Sequence, residues 1–172
     1  MTGVQTCALP ISGLEDLYRE IVLDHYKTPR NRGELQTPPA VRAEGLNQLC
    51  GDEVVVYLIL EGDQVADVKI GGQGCSISQS SASMMSAAIK GKTLREVSDL
   101  THAFKGMLMV GDHGHDSEVE PHEHPEVALG EMEALKGVMK FPSRIKCATL
   151  SWNTLIQAIH EARSPEAAAQ EG

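Results

Sequence analysis

Aromatic residues are scarce in this chain: Phe, Tyr and Trp together make up 3% of its 172 residues. The core must therefore be built from Leu, Ile, Val, Ala and Met. Long apolar runs are missing as well. No stretch approaches the roughly 18 residues of a membrane span, so no membrane role is expected. Basic residues are outnumbered, 15 against 24 acidic, for a net charge of −9. That balance argues against nucleic acid, whose phosphates demand Lys/Arg patches. It suits solubility and docking onto a basic partner surface. Cysteines number four and form no Cys-x-x-Cys pair, which speaks against a zinc ribbon or a thioredoxin-like site. A secretory signal peptide is not evident, so reduced thiols and a cytoplasmic setting are expected.

The remaining pattern reads as a single domain. Residues 1–12 lack a helical period, and we read them as a non-native or disordered leader, with Cys7 irrelevant to function. Residues 13–163 form the domain, with a polar insertion at about 108–130, and 164–172 are a frayed tail. Ser12-Gly13-Leu14-Glu15 fits a capping box opening a first helix. Leu14, Leu17, Tyr18, Ile21 and Val22 lie on one face of it, and Pro29 ends it. Residues 40–47 suit an edge strand. Val54–Leu60 is β-branched and apolar, Glu61-Gly62-Asp63 is turn chemistry, and Val65–Ile70 alternates apolar and polar, which makes a hairpin. A helix of small residues follows Cys75 and stops near Gly91. Thr93-Leu94-Arg95-Glu96 is a second capping box, opening a helix to about Met107. A short helical pattern resumes over 126–138, and the final amphipathic helix is expected from Cys147 onward. Strands followed by helices give an α+β class: a small antiparallel sheet of about three strands packed against helices.

Chemistry concentrates at three cysteines and an aspartate in small-residue turns. Cys50 and Asp52 flank Gly51. Cys75 closes the run Gly71-Gly72-Gln73-Gly74. Cys147 follows Arg144-Ile145-Lys146. Three thiolates and a carboxylate can complete a tetrahedral metal site. The carboxylate is the hardest donor of the set and the easiest to exchange. Cys147 is expected near a helix N-terminus, where the dipole favours thiolate, with Arg144 and Lys146 adding positive charge. Spacing alone leaves two readings open, a shared metal site and three buried, inert core cysteines. His113, His115, His122 and His124 form a second metal candidate in the loop 111–125, where a solvated acidic loop is the favoured reading. His25 and Tyr26 are open between facing a partner and capping the helix end.

Several motifs together resemble the SufU branch of the IscU/NifU-N family of iron–sulfur assembly proteins. Leu17-Tyr18-Arg19-Glu20-Ile21-Val22-Leu23-Asp24-His25-Tyr26 with Pro29-Arg30-Asn31-Arg32-Gly33 is similar to the family's opening signature. Asn47-Gln48-Leu49-Cys50-Gly51-Asp52 resembles its Asn-Pro-x-Cys-Gly-Asp motif, with Gln48 where Pro is usual. Gly72-Gln73-Gly74-Cys75-Ser76-Ile77-Ser78 resembles the second cysteine motif and Arg144-Ile145-Lys146-Cys147 the third. Lys146 stands where IscU-type scaffolds carry His, and the long insertion before it also points to the SufU branch. The resemblance covers residues 14 to about 162 and implies an IscU/SufE-like fold. It implies zinc bound by Cys50, Asp52, Cys75 and Cys147, with Arg144 and Lys146 in support and Cys50 as the sulfur acceptor. The implied partners are a PLP-dependent cysteine desulfurase of the SufS type and the iron–sulfur assembly machinery. In that reading the chain is a sulfur-transfer partner of the desulfurase rather than a stand-alone enzyme. The alternative is a scaffold that builds and hands on a transient [2Fe–2S] cluster, with iron or the cluster as ligand in place of zinc.

Overall fold

The computed structural model describes residues 10–109 and 127–163. The insertion's histidines, His113, His115, His122 and His124, lie outside the described residues, as do Cys7 and the tail.

Three strands form one antiparallel meander: β1 (Val41–Asn47), β2 (Asp52–Glu61) and β3 (Gln64–Gln73), in that spatial order. Val54, Val56 and Leu58 alternate along β2 onto one face and are fully buried. Val65, Val68 and Ile70 join them from β3. This is the pleat sorting the residues that the hairpin pattern anticipated. Val55 and Tyr57 point to the other face and are also buried, with the Arg42 guanidinium 6.0 Å from the Tyr57 ring centre. The free edge of β3 is partly covered by the loop after the first helix. Ile70 N–H donates to the Asn31 carbonyl, and Gly33 N–H donates to the Ile70 carbonyl.

Helices cover the inner face. They are α1 (Pro10–Lys27), α2 (Ser76–Ile89), α3 (Leu94–Met109), a 3-10 helix (Gly130–Lys140) and α4 (Pro142–Ala162). α2 and α4 lie against the sheet and each other, and α1 and the 3-10 helix pack behind α2. α2 can sit this close because Ser78, Ser80, Ser81, Ser83 and Ser86 are buried small residues. Their hydroxyls are satisfied locally or across the interface, as Ser81 is by the Ala148 carbonyl of α4 at 2.6 Å. Although aromatics are few, Trp152 and Phe104 stack with ring centres 4.8 Å apart at the centre of the helical layer.

Three boundaries differ from expectation, the first being the helical pattern expected over 126–138, which forms the 3-10 helix Gly130–Lys140. α1 begins at Pro10, ahead of the Ser12 capping box; proline presets the backbone angle of a first helical turn. α4 begins at Pro142, not near Cys147. Its opening residues Pro142, Ser143 and Arg144 are exposed, so they show no apolar period to betray the helix. The second capping box forms as expected: Thr93 N–H donates to Glu96 at 2.8 Å, and Glu96 N–H donates to the Thr93 hydroxyl at 3.2 Å. The open question about His25 is also resolved. It is buried, bonded through Nδ1 to the Ser83 hydroxyl at 2.7 Å and through Nε2 to the Glu131 carboxylate. It therefore ties α1 to α2 and to the 3-10 helix rather than facing outward. Tyr26 beside it is exposed.

Candidate metal centre

The turn between β1 and β2 carries the first cysteine. Asn47 and Asp52 are the last paired residues of that ladder, so residues 48–51 must reverse the chain. Gly51 takes the left-handed φ of +67° that this reversal needs. Cys50 is thereby exposed at the tip, while Asp52, already in the strand, is buried.

Cys75 sits where β3 passes into α2 and is the N-cap of that helix. Its sulfur accepts from the Ser78 N–H at 3.5 Å. Its own backbone N–H donates to Asp52 Oδ1 at 2.8 Å, and its sulfur lies 3.8 Å from Asp52 Oδ2. A Cβ added at Gly74 would lie 2.5 Å from Asp52 Oδ1 and 2.8 Å from the Ser78 hydroxyl. Glycine at 74 is what lets the carboxylate enter. Gly74→Ala is therefore expected to displace Asp52 and destabilise the metal-free protein by about 1–3 kcal/mol, the usual cost of overpacking. Urea unfolding in the presence of a chelator checks this through the midpoint.

Cys147 comes from the second turn of α4 and is fully buried. Its sulfur, that of Cys50 and a carboxylate oxygen of Asp52 all lie within 4.8 Å of one another. This is the one such group of possible metal ligands among the described residues. Cys75 falls outside that threesome but is linked to it through Asp52.

The protonation behaviour follows from the crowding. Burial pushes the Asp52 carboxyl up, but hydrogen bonds from the Cys75 backbone and from the Cys147, Cys75 and Ser78 side chains outweigh it. The net shift is below the usual carboxylate range. The Cys147 thiol is pushed up, by burial first and then by its bonds to Asp52 and Cys50. This corrects the expectation of a helix-dipole thiolate: a residue in the second turn has lost most of the terminal field, and burial dominates. Arg144 lies close enough to the cysteines to interact with them. It is exposed, and it is pushed up by the charge of Cys75, by a hydrogen bond to Cys147, and by the charges of Cys147 and Cys50. Lys146 is exposed and makes no hydrogen bond or ion pair with these groups. Sequence reasoning overlooked two donors: the Asn47 side-chain amide, 3.6 Å from the Cys147 sulfur, and the Ser78 N–H. Asn47's place within the Asn-x-x-Cys-Gly-Asp motif was the available signal.

The NifU-like N terminal domain family matches residues 17–148. The chain is 45% identical over 148 residues to the zinc-dependent sulfurtransferase SufU of Bacillus subtilis, covering 86% of this chain and 92% of that protein. It is 39% identical over 152 residues to the iron–sulfur cluster assembly scaffold protein IscU of Streptococcus pyogenes, covering 88% and 87%. Among solved structures it resembles a protein of Fervidobacterium islandicum assigned to the SUF system as an iron–sulfur cluster assembly scaffold. That match has a TM-score of 0.67 and 34% identity, over 81% of this chain and 94% of that one. The fold, the motifs and these likenesses agree: the chain belongs to the NifU-like N-terminal domain family and is a SufU-type member of it.

Proposed function

We propose that this protein is a zinc-dependent sulfurtransferase of the cytoplasm. It would accept sulfane sulfur from a PLP-dependent, SufS-type cysteine desulfurase and pass it toward iron–sulfur cluster assembly. The observation that carries this reading is the convergence of Cys50, Asp52 and Cys147 within 4.8 Å, with Cys75 hydrogen-bonded to the same carboxylate. Three thiols and one carboxylate are a fitting donor set for a zinc ion. Bound there, zinc would supply the positive charge that keeps buried thiols deprotonated.

The residues divide the work by exposure. Cys147 is enclosed and Cys75 is fixed at a helix cap, so both are suited to stay in place. Cys50 is at an exposed turn and is the group a partner can reach. In the transfer step the Cys50 thiolate attacks the terminal sulfur of the desulfurase's cysteine persulfide. A new S–S bond forms at Cys50 as the donor's S–S bond breaks, and the donor cysteine leaves as thiolate. The sulfane sulfur keeps its oxidation level and its proton. Arg144, exposed beside the three sulfurs, would balance the thiolate charge that passes from Cys50 to the departing donor cysteine.

Metal content separates this from cluster building. Protein purified in air is expected to hold about one zinc per chain, to be colourless, and to stimulate a SufS-type desulfurase. A labile brown chromophore with no stimulation would instead support the scaffold reading.

A further inference from the structure

Two of the three sulfurs accept an N–H hydrogen bond and the third does not. Asn47 Nδ2 lies 3.6 Å from the Cys147 sulfur, and the Ser78 backbone N–H lies 3.5 Å from the Cys75 sulfur. Among the described residues no N–H donor reaches the Cys50 sulfur. The Ser78 donor follows from the helix cap. The Asn47 donor is a side chain, held in place by a close approach of strand to helix. Asn47 is the last residue of β1. Two residues earlier, a Cβ at Gly45 would meet the Thr154 hydroxyl at 2.0 Å and a Leu150 methyl at 3.1 Å. Only glycine lets β1 lie that near α4, and the same approach brings Asn47 to the turn of α4 that carries Cys147.

We propose that Asn47 is a positioning residue that fixes which thiolate reacts: by donating to Cys147 it helps hold that sulfur in place and leaves Cys50 as the reactive one. The inference rests on the metal reading given above. A hydrogen bond to a thiolate withdraws charge from sulfur, and nucleophilicity falls with basicity. Partners of this kind around a metal site orient its ligands and tune their donor strength. Cys75 and Cys147 are both damped in this way. Cys50 lacks such an N–H donor and is also the exposed member, so access and reactivity select the same atom.

The test is cobalt(II) loading of the intact protein, with Asn47→Leu to remove the donor at similar size and Asn47→Ala in case leucine prevents folding. With the Asn47 amide gone and only the Arg144 hydrogen bond left, the Cys147 sulfur becomes the stronger donor, so the thiolate-to-cobalt charge-transfer bands are expected to move to lower energy. Chelator competition is expected to show retention weaker by about tenfold; the band position decides. Bands at the wild-type energy in a folded variant would overturn the role of Asn47 alone. Failure of the wild-type protein to give thiolate–cobalt bands would take down the metal reading and this inference together.

Discussion

Cys50→Ser is expected to reduce stimulation of a cysteine desulfurase to the level of the desulfurase alone. The substitution exchanges a sulfur nucleophile for a hydroxyl that stays protonated at neutral pH, and thiol–persulfide exchange requires a thiolate. The fold should not suffer. Cys50 is exposed in a turn closed by the Asn47–Asp52 pair, so with chelator present the stability should change by no more than about 0.5 kcal/mol, as for other surface positions. A parallel urea titration of both chelated proteins keeps the two effects apart. Retained stimulation in a folded Cys50→Ser protein would move the acceptor role elsewhere.

The second large effect is expected at Cys147. Cys147→Ala removes the buried sulfur of the Cys50–Asp52–Cys147 group, and with it retention of zinc. A ligand that binds only the folded state, at a thousandfold excess over its dissociation constant, adds about 4 kcal/mol of stability. For a domain of this size that amounts to about 10 °C in melting temperature. The variant should therefore show no zinc-dependent rise, whereas the wild-type protein should show the full one. Asp52→Ala should give an intermediate result: zinc binding that is weaker but present, since the carboxylate is the hardest donor of the set and the most readily replaced. It should also cost about 1–3 kcal/mol without metal, because the Cys75 N–H loses the carboxylate it donates to. Thermal scans with zinc and with chelator on all three proteins check both statements. Equal metal loss in Asp52→Ala and Cys147→Ala would contradict the ranking.

Much of this architecture is legible in the sequence because local chemistry and tertiary placement agree. The β2–β3 hairpin can be read from the β-branched run Val54–Val56, the alternation in Val65–Ile70 and the turn at Gly62, since each local preference matches the buried face it meets. The Thr93 capping box forms as written for the same reason. The start of α4 was hidden because its first turn is solvent-exposed; only Pro142, a residue suited to a helix's first position, marked it. That shift of the helix start also reversed the reading of Cys147, from a dipole-favoured thiolate to a thiol raised by burial. Contacts between distant segments had no local signal at all. His25 meets Glu131 across 106 positions, and Asn47 meets Cys147 across 100. Charge placement was partly legible: Arg144 reaches the thiols, while Lys146, two residues on, stays in solvent.

The central claim is that sulfur arrives at Cys50. Its most direct test is peptide-mapped mass spectrometry of the full-length, zinc-loaded protein after incubation with a PLP-dependent cysteine desulfurase and free cysteine. The expected result is one added sulfur per chain, on the peptide containing Cys50. Added sulfur found mainly on the Cys75 or Cys147 peptide, or none on a protein that still stimulates the desulfurase, would contradict it.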